Sequence, residues 1–235
     1  MHHTYFVKEI SSRFALVAVI TESSMLVPPF ETTHSFEVER DHYETSMFFG
    51  GQLVTMADFT HSYIVSDINN DNSRGLIASY EPDIVIVFGT RRIGKEIIDL
   101  CKEGFVNLHG GDPEQYRGLD SHLWGIYHGD FGSLAVTLHR VNEKLDDGEI
   151  LARETIALSR DMRLYQLRKA NTELCVDITM NTLNRWVINR TFKSWKQQRI
   201  GRYYSFMPSV LKNHCVSKFE HYTTELNDGP DHLPD

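Results

Sequence analysis

Apolar and polar positions alternate along this chain in blocks that suit short buried strands set between amphipathic helices. Residues 15–20 form a continuous apolar run of the kind that makes a parallel strand covered on both faces. Ahead of it, residues 3–14 read as a helix with Tyr5, Phe6 and Ile10 on one side. Pro28 and Pro29 exclude regular structure from 21–32. Charge and aromatics then recur at helical spacing over 36–49 and stop at Gly50 and Gly51. Residues 52–66 are ambiguous, although 63–65 suits a short strand, and the polar cluster 67–72 is placed to cap a helix over 73–80.

The clearest unit follows. Residues 83–88 are a buried strand, Gly89 turns the chain, 93–101 is helical, and 104–108 is a second strand. Strand, helix and strand at this spacing predict a right-handed crossover between neighbouring parallel strands. Ligands bind beyond the carboxyl ends of such strands, which is where His109 falls. Residues 110–118 are a glycine-rich polar loop, and 119–128 a helix capped by Asp120 and stopped by Gly129. Strands at 134–141 and 150–158 flank a loop carrying Asp146. The longest helical pattern, 160–190, has Leu164, Leu167, Leu174, Ile178, Leu183 and Trp186 in one stripe, which marks core or a dimer interface.

These elements predict an α/β domain with a Rossmann-like, mostly parallel sheet flanked by helices, over residues 1–190. A C-terminal extension, 191–235, is polar except around 202–208 and is expected to contact substrate or a second subunit and to end in disorder. A helix precedes the first strand, whereas a doubly wound domain opens on a strand. Either the start codon is placed late or the sheet lacks its first strand, a loss that leaves a slot in mid-sheet.

Composition narrows the function classes. The 235 residues suffice for one domain with a real core plus a short extension. A net charge of −8 argues against a nucleic-acid partner, whose phosphates select a basic face. Cys101, Cys175 and Cys215 have neither metal nor disulfide spacing, which suits reduced thiols in the cytoplasm. No apolar run is long enough to span a bilayer, and no signal peptide is recognised.

Chemistry concentrates at Asn107, Leu108, His109, Gly110 and Gly111, with Tyr116, Arg117 and Gly118 shortly after and Leu145, Asp146, Asp147 and Gly148 further on. An amide, an imidazole and a carboxylate converging at a strand end can perform acyl transfer, since the imidazole moves a proton and the amide donates to an oxyanion. In this order, and with Gly129 and Asp130 between the second and third groups, the pattern resembles the folate-dependent formyltransferase family. That family includes glycinamide ribonucleotide, methionyl-tRNA and sugar N-formyltransferases. The match is firm over 83–157 and extends more weakly to the N-terminal helix and strand.

The resemblance implies that Asn107, His109 and Asp146 are the catalytic trio. It implies transfer of a formyl group from 10-formyltetrahydrofolate to an amine, without a metal. Asn107 would stabilise the oxyanion, His109 would assist it or take the amine's proton, and Asp146 would fix the histidine tautomer. The pterin would lie near Phe88, Gly89 and Ile93 and the loop before Asp146. Many relatives carry proline and serine or threonine where this chain has Gly110 and Gly111, a change expected to loosen the loop. His61, His122, His128 and His139 receive no role, and Trp124 and Tyr127 are expected in the core.

Among acceptors, the helix around 3–7, the stretch 67–69 and the run 124–130 look most like enzymes acting on nucleotide-linked amino sugars for surface polysaccharides such as O-antigen. Arg117, Tyr203, Tyr204 or Phe206 would then contact the substrate, with the aromatic rings against base or sugar. The relatives' extra C-terminal barrel has no room beyond 190, which disfavours transfer RNA. Hydroxyornithine or glycinamide ribonucleotide as acceptor, and a non-catalytic folate- or nucleotide-binding module, stay open. Homodimerisation through the last helix or the tail is an expectation too.

Overall fold

The computed structural model describes residues 1–24, 26–101, 104–143 and 146–227. Helix α1 (His2–Ser11) leads into β1 (Ala18–Glu22), and α2 (Ser35–Phe49) ends at Gly50, whose positive φ of 60° closes it. Then come β2 (His61–Val65), α3 (Asp71–Ser79) and β3 (Val85–Phe88). The Asn70 side chain accepts from the Ser73 N–H and caps α3, as the polar cluster predicts. Short α4 (Lys95–Ile98) crosses to β4 (Phe105–His109). β5 (Tyr116–Gly118), α5 (Ser121–His128), β6 (Ala135–Arg140) and β7 (Ile150–Thr155) follow. The chain then runs through α6 (Leu167–Asn189), β8 (Arg202–Tyr204) and α7 (Ser209–Thr224).

The sheet is interrupted where the slot is expected. β1 and β2 pair with each other in parallel, while β3, β4, β6 and β7 form a separate four-stranded sheet in that order. β3 and β4 are parallel, as the crossover requires, and β6 and β7 add antiparallel to them. Ile20 of β1 and Val85 of β3 pack against the same apolar cluster, and the Arg91 guanidinium bonds Glu22. β1 begins three residues later than predicted and is half-buried, because its sheet has a single partner strand.

Helices cover both faces. Val106, Leu108, Leu134, Val136 and Leu138 meet Phe6, Ile10 and the α6 stripe in the larger core. Ile77, Ile93, Ile97, Val87 and Phe105 form the smaller one. Each fully buried side chain of this size contributes about 1.5–3 kcal/mol. The α6 stripe is core, with Ile178 and Leu183 buried. Among the described residues no helix is long and apolar enough to cross a membrane.

The chain beyond 190 differs from its expected polar tail. Phe192, Met207, Cys215 and Phe219 are buried in the larger core, β8 pairs in parallel with β5, and α7 lies on α5. The signal for α7 is the four-residue spacing of Leu211, Cys215, Phe219 and Thr223, diluted by lysines and histidines. The expected disordered end at 228–235 lies outside the described residues, as does Leu145. Asp120 occupies the N-cap of α5 but its side chain does not cap; Oδ2 accepts from the Met207 N–H instead and ties the tail to the domain.

Candidate active site

Asn107 and His109 are alternate residues of β4 and therefore share a face of the sheet. On that face β6 places His139 directly opposite Asn107. The loop between β6 and β7 returns Asp146 to the same spot, in a left-handed conformation (φ 49°) that an aspartate tolerates better than most residues. Asp146, His109 and His139 are all buried.

His109 Nε2 lies 2.8 Å from the Tyr116 carbonyl and must donate to it. Its Nδ1 faces Asp146 Oδ2 at 3.8 Å. The Tyr116 carbonyl, not Asp146 as the resemblance implies, thus fixes the neutral tautomer and leaves the lone pair on Nδ1. Burial lowers the His109 pKa below the ordinary histidine value, against the pull of the nearby Asp146 charge. Burial also opposes ionisation of Asp146, but the positive charge that His139 or His109 carries when protonated and the Gly118 N–H (3.0 Å) outweigh it. They hold the carboxyl well below the usual carboxylate range. The buried pair is therefore a carboxylate beside a neutral imidazole.

His139, to which the sequence reading assigns nothing, joins the constellation. Its Nδ1 lies 2.9 Å from the Arg140 carbonyl and donates to it, so Nε2 accepts from Asn107 Nδ2 at 3.1 Å. Asp146 Oδ1 is 3.5 Å from the same nitrogen. The carbonyl orients the ring, the ring orients the amide, and Asn107 lines the cavity with one amide N–H left over from this bond. Thr137 and Arg140 are polar in the same run, so sequence alone does not single this residue out.

Gly111 explains the departure at Gly110 and Gly111. A Cβ on Gly111 would stand 2.9 Å from Ser121 Cβ and 3.0 Å from His109 Nε2, so no side chain fits. The Gly111 carbonyl accepts from buried Thr137 at 2.8 Å, which ties the loop to β6. Gln197 in the tail is a second missed residue. Its amide donates to the carbonyls of Asp146 and Gly148, each at 2.9 Å, and pins the loop bearing the carboxylate.

These groups open into a cavity of about 740 Å³, within the usual size of a small-molecule site. Phe88, Gly89 and Ile93 line it together with Asn107, His109 and Asp146. Tyr203 stands at its edge, 59% exposed. Arg117 and Tyr204 do not line it. Strand alternation turns Tyr204 away from Tyr203 into a stack with Trp124 (ring centroids 4.8 Å apart) and Tyr116 (5.6 Å). Trp124 belongs to this partly open stack and donates to the Ser205 carbonyl at 2.8 Å. Among the described residues no group of three or more His, Cys, Asp or Glu is arranged to hold a metal ion.

A strand-end amide, an imidazole lone pair and a buried carboxylate around one cavity are an arrangement that acyl transfer can use. The sequence model of the formyl transferase family matches residues 53–181, more than half of the chain, and the chain belongs to that family. Among curated relatives, the bifunctional polymyxin resistance protein ArnA of Wigglesworthia glossinidia brevipalpis is 27% identical over 191 residues, covering 77% of this chain and 25% of the relative. The methionyl-tRNA formyltransferase of Desulfotalea psychrophila is 32% identical over 117 residues, covering 49% and 36%. The chain thus spans roughly a quarter to a third of the length of these relatives.

Among solved structures, HypX from Aquifex aeolicus superposes with a TM-score of 0.56 at 19% identity, over 91% of this chain and 36% of that one. The formyltransferase PseJ from Anoxybacillus kamchatkensis, solved with UDP-4,6-dideoxy-4-formamido-L-AltNAc and tetrahydrofolate, gives 0.50 at 20% identity, over 91% and 93%. At these identities the likeness is one of fold.

Proposed function

We propose that the chain transfers a formyl group from 10-formyltetrahydrofolate to the amine of a nucleotide-linked amino sugar, with Asn107, His109 and Asp146 as catalytic residues. The observation that carries this reading is the meeting of the three side chains around one cavity, with Asn107 bonded to His139 at 3.1 Å and Asp146 standing 3.8 Å from His109. The apolar side chains of Val87, Phe88 and Ile93 line the same cavity, which suits the flat face of a pterin. When bound, 10-formyltetrahydrofolate supplies a formyl group on a nitrogen able to depart.

The free Asn107 N–H holds the formyl oxygen as negative charge develops there. His109 Nδ1 accepts a proton from the incoming amine, and Asp146 favours the imidazolium so formed. His109 returns that proton to the departing nitrogen. One C–N bond forms as another breaks, so the transfer needs no outside proton.

For the acceptor, Tyr203 offers an exposed ring at the cavity edge suited to a base or sugar. The UDP-linked sugar named for PseJ supports the same class. Asn107→Ala is expected to lower kcat by about 10²–10³ and leave folate binding in place, as loss of one oxyanion donor does. The assay follows tetrahydrofolate release with a panel of dTDP-, GDP- and UDP-linked amino sugars, hydroxyornithine and glycinamide ribonucleotide. Wild-type rates from Asn107→Ala would remove the catalytic assignment, selective use of a non-sugar amine would replace the acceptor, and folate binding without turnover would point to a binding module.

A further inference from the structure

Beside the catalytic groups, the cavity wall carries two hydrogen-bond acceptors that no described residue bonds. Asn171, on α6, is 7% exposed. Its amide nitrogen makes only a long contact to Cys175 Sγ at 3.8 Å, and its Oδ1 is buried without a partner. An amide oxygen in that position is costly unless something bonds it. His122, on α5, donates from Nε2 to the Ala135 carbonyl at 2.8 Å, so its Nδ1 holds a lone pair. Burial, reinforced slightly by His109, pushes the His122 pKa down to about 4 against the Ala135 bond, and the ring stays neutral.

Both residues line the same cavity as His109 and Gly110. They also face one small space. A Cβ built on Gly110 would lie 3.5 Å from Asn171 Oδ1 and 3.8 Å from His122 Nδ1. Those are ordinary contact distances, so the glycine leaves an opening between two lone pairs, one residue from the catalytic histidine.

We propose that Asn171 Oδ1 and His122 Nδ1 form a subsite for a neutral hydrogen-bond donor of the acceptor molecule, a hydroxyl or N–H close to the amine that is formylated. Two acceptors without a donor between them fit such a group and reject a phosphate or carboxylate. The pair therefore selects acceptors that carry such a donor beside the amine, as the hydroxyls of an amino sugar do, which deepens the amino-sugar reading and rests on it.

The test uses the full chain and the panel member it turns over fastest. Asn171→Leu removes the unused oxygen at similar volume, and Gly110→Ala fills the opening without a clash. Each variant is expected to raise the acceptor KM about tenfold, the worth of one hydrogen bond, with the folate KM unchanged. Asn171→Leu should also keep or raise Tm, since it relieves a buried unpaired group. An acceptor lacking the relevant hydroxyl should bind wild type and Asn171→Leu alike. Unchanged acceptor KM in both folded variants, with wild type active, overturns the subsite alone. A wild-type protein that turns over no amine and binds none of the nucleotide sugars overturns the subsite and the functional reading together.

Discussion

Replacing Gly111 by alanine tests whether the paired glycines provide room or mobility. The new methyl would lie 2.9 Å from Ser121 Cβ and 3.0 Å from His109 Nε2. Neither neighbour can readily withdraw. Ser121 is buried at the start of α5, and the His109 ring is held 2.8 Å from the Tyr116 carbonyl. The backbone cannot back away either, because the Gly111 carbonyl is bonded to Thr137, which is fully buried. About half an ångström must be found, and overpacking of this kind costs about 1–3 kcal/mol. The movement falls largely on His109. A misplacement of about 1 Å can cost 10²-fold in rate, so kcat is expected to drop roughly ten- to hundredfold. Formylation kinetics and thermal unfolding read both effects, and Ser121→Gly in the same chain should recover part of each. If Gly111→Ala matches wild type in kcat and Tm, the steric reasoning is wrong. If it exceeds wild type, the glycine serves mobility and alanine has rigidified the loop.

Other substitutions separate the remaining roles. Because burial holds His109 neutral below the ordinary histidine value, kcat/KM should stay level on acidification through about pH 6.5 and fall only further down. Asp146→Asn removes a charge that raises the His109 pKa, so the acid limb should move lower still while the plateau falls; a pH–rate profile shows both. For stability the sign is the usual carboxylate one. The depressed Asp146 pKa contributes stability above the unfolded-state value, lost as pH drops toward the folded one, and Asp146→Asn should flatten that acid dependence in urea melts. Tyr203→Ala should raise the acceptor KM with little change in Tm, whereas Tyr204→Ala, which breaks the stack with Trp124 and the contact to His128 (3.0 Å), should lower Tm. Gln197→Ala frees the Asp146 loop and should reduce kcat more than it reduces Tm.

The parts of this molecule legible in its sequence are those set by local pattern. The crossover from β3 to β4 could be read from two apolar runs, a glycine and a helical spacing, and with it the position of Asn107 and His109 at a strand end. His139 was hidden because its importance depends on register across an antiparallel pair, which the sequence of β6 alone does not specify. The Tyr116 carbonyl and the Gln197 amide were hidden for a related reason: one acts through backbone, the other from 51 residues away. Tyr203 and Tyr204 were indistinguishable as a pair of aromatics until β8 assigned them to opposite faces. Asp120 looked like a cap, and the pull of the Met207 N–H from 87 residues along the chain decided otherwise.

Residues 197–204 hold both walls of the pocket, with Gln197 on the carboxylate loop and β8 along the strand whose Gly118 N–H meets Asp146. A chain still emerging from the ribosome therefore carries its amide and imidazole long before they are arrayed for use. A product truncated before Gln197 should keep Asn107 and His109 yet lack the ties that hold the carboxylate loop beside them.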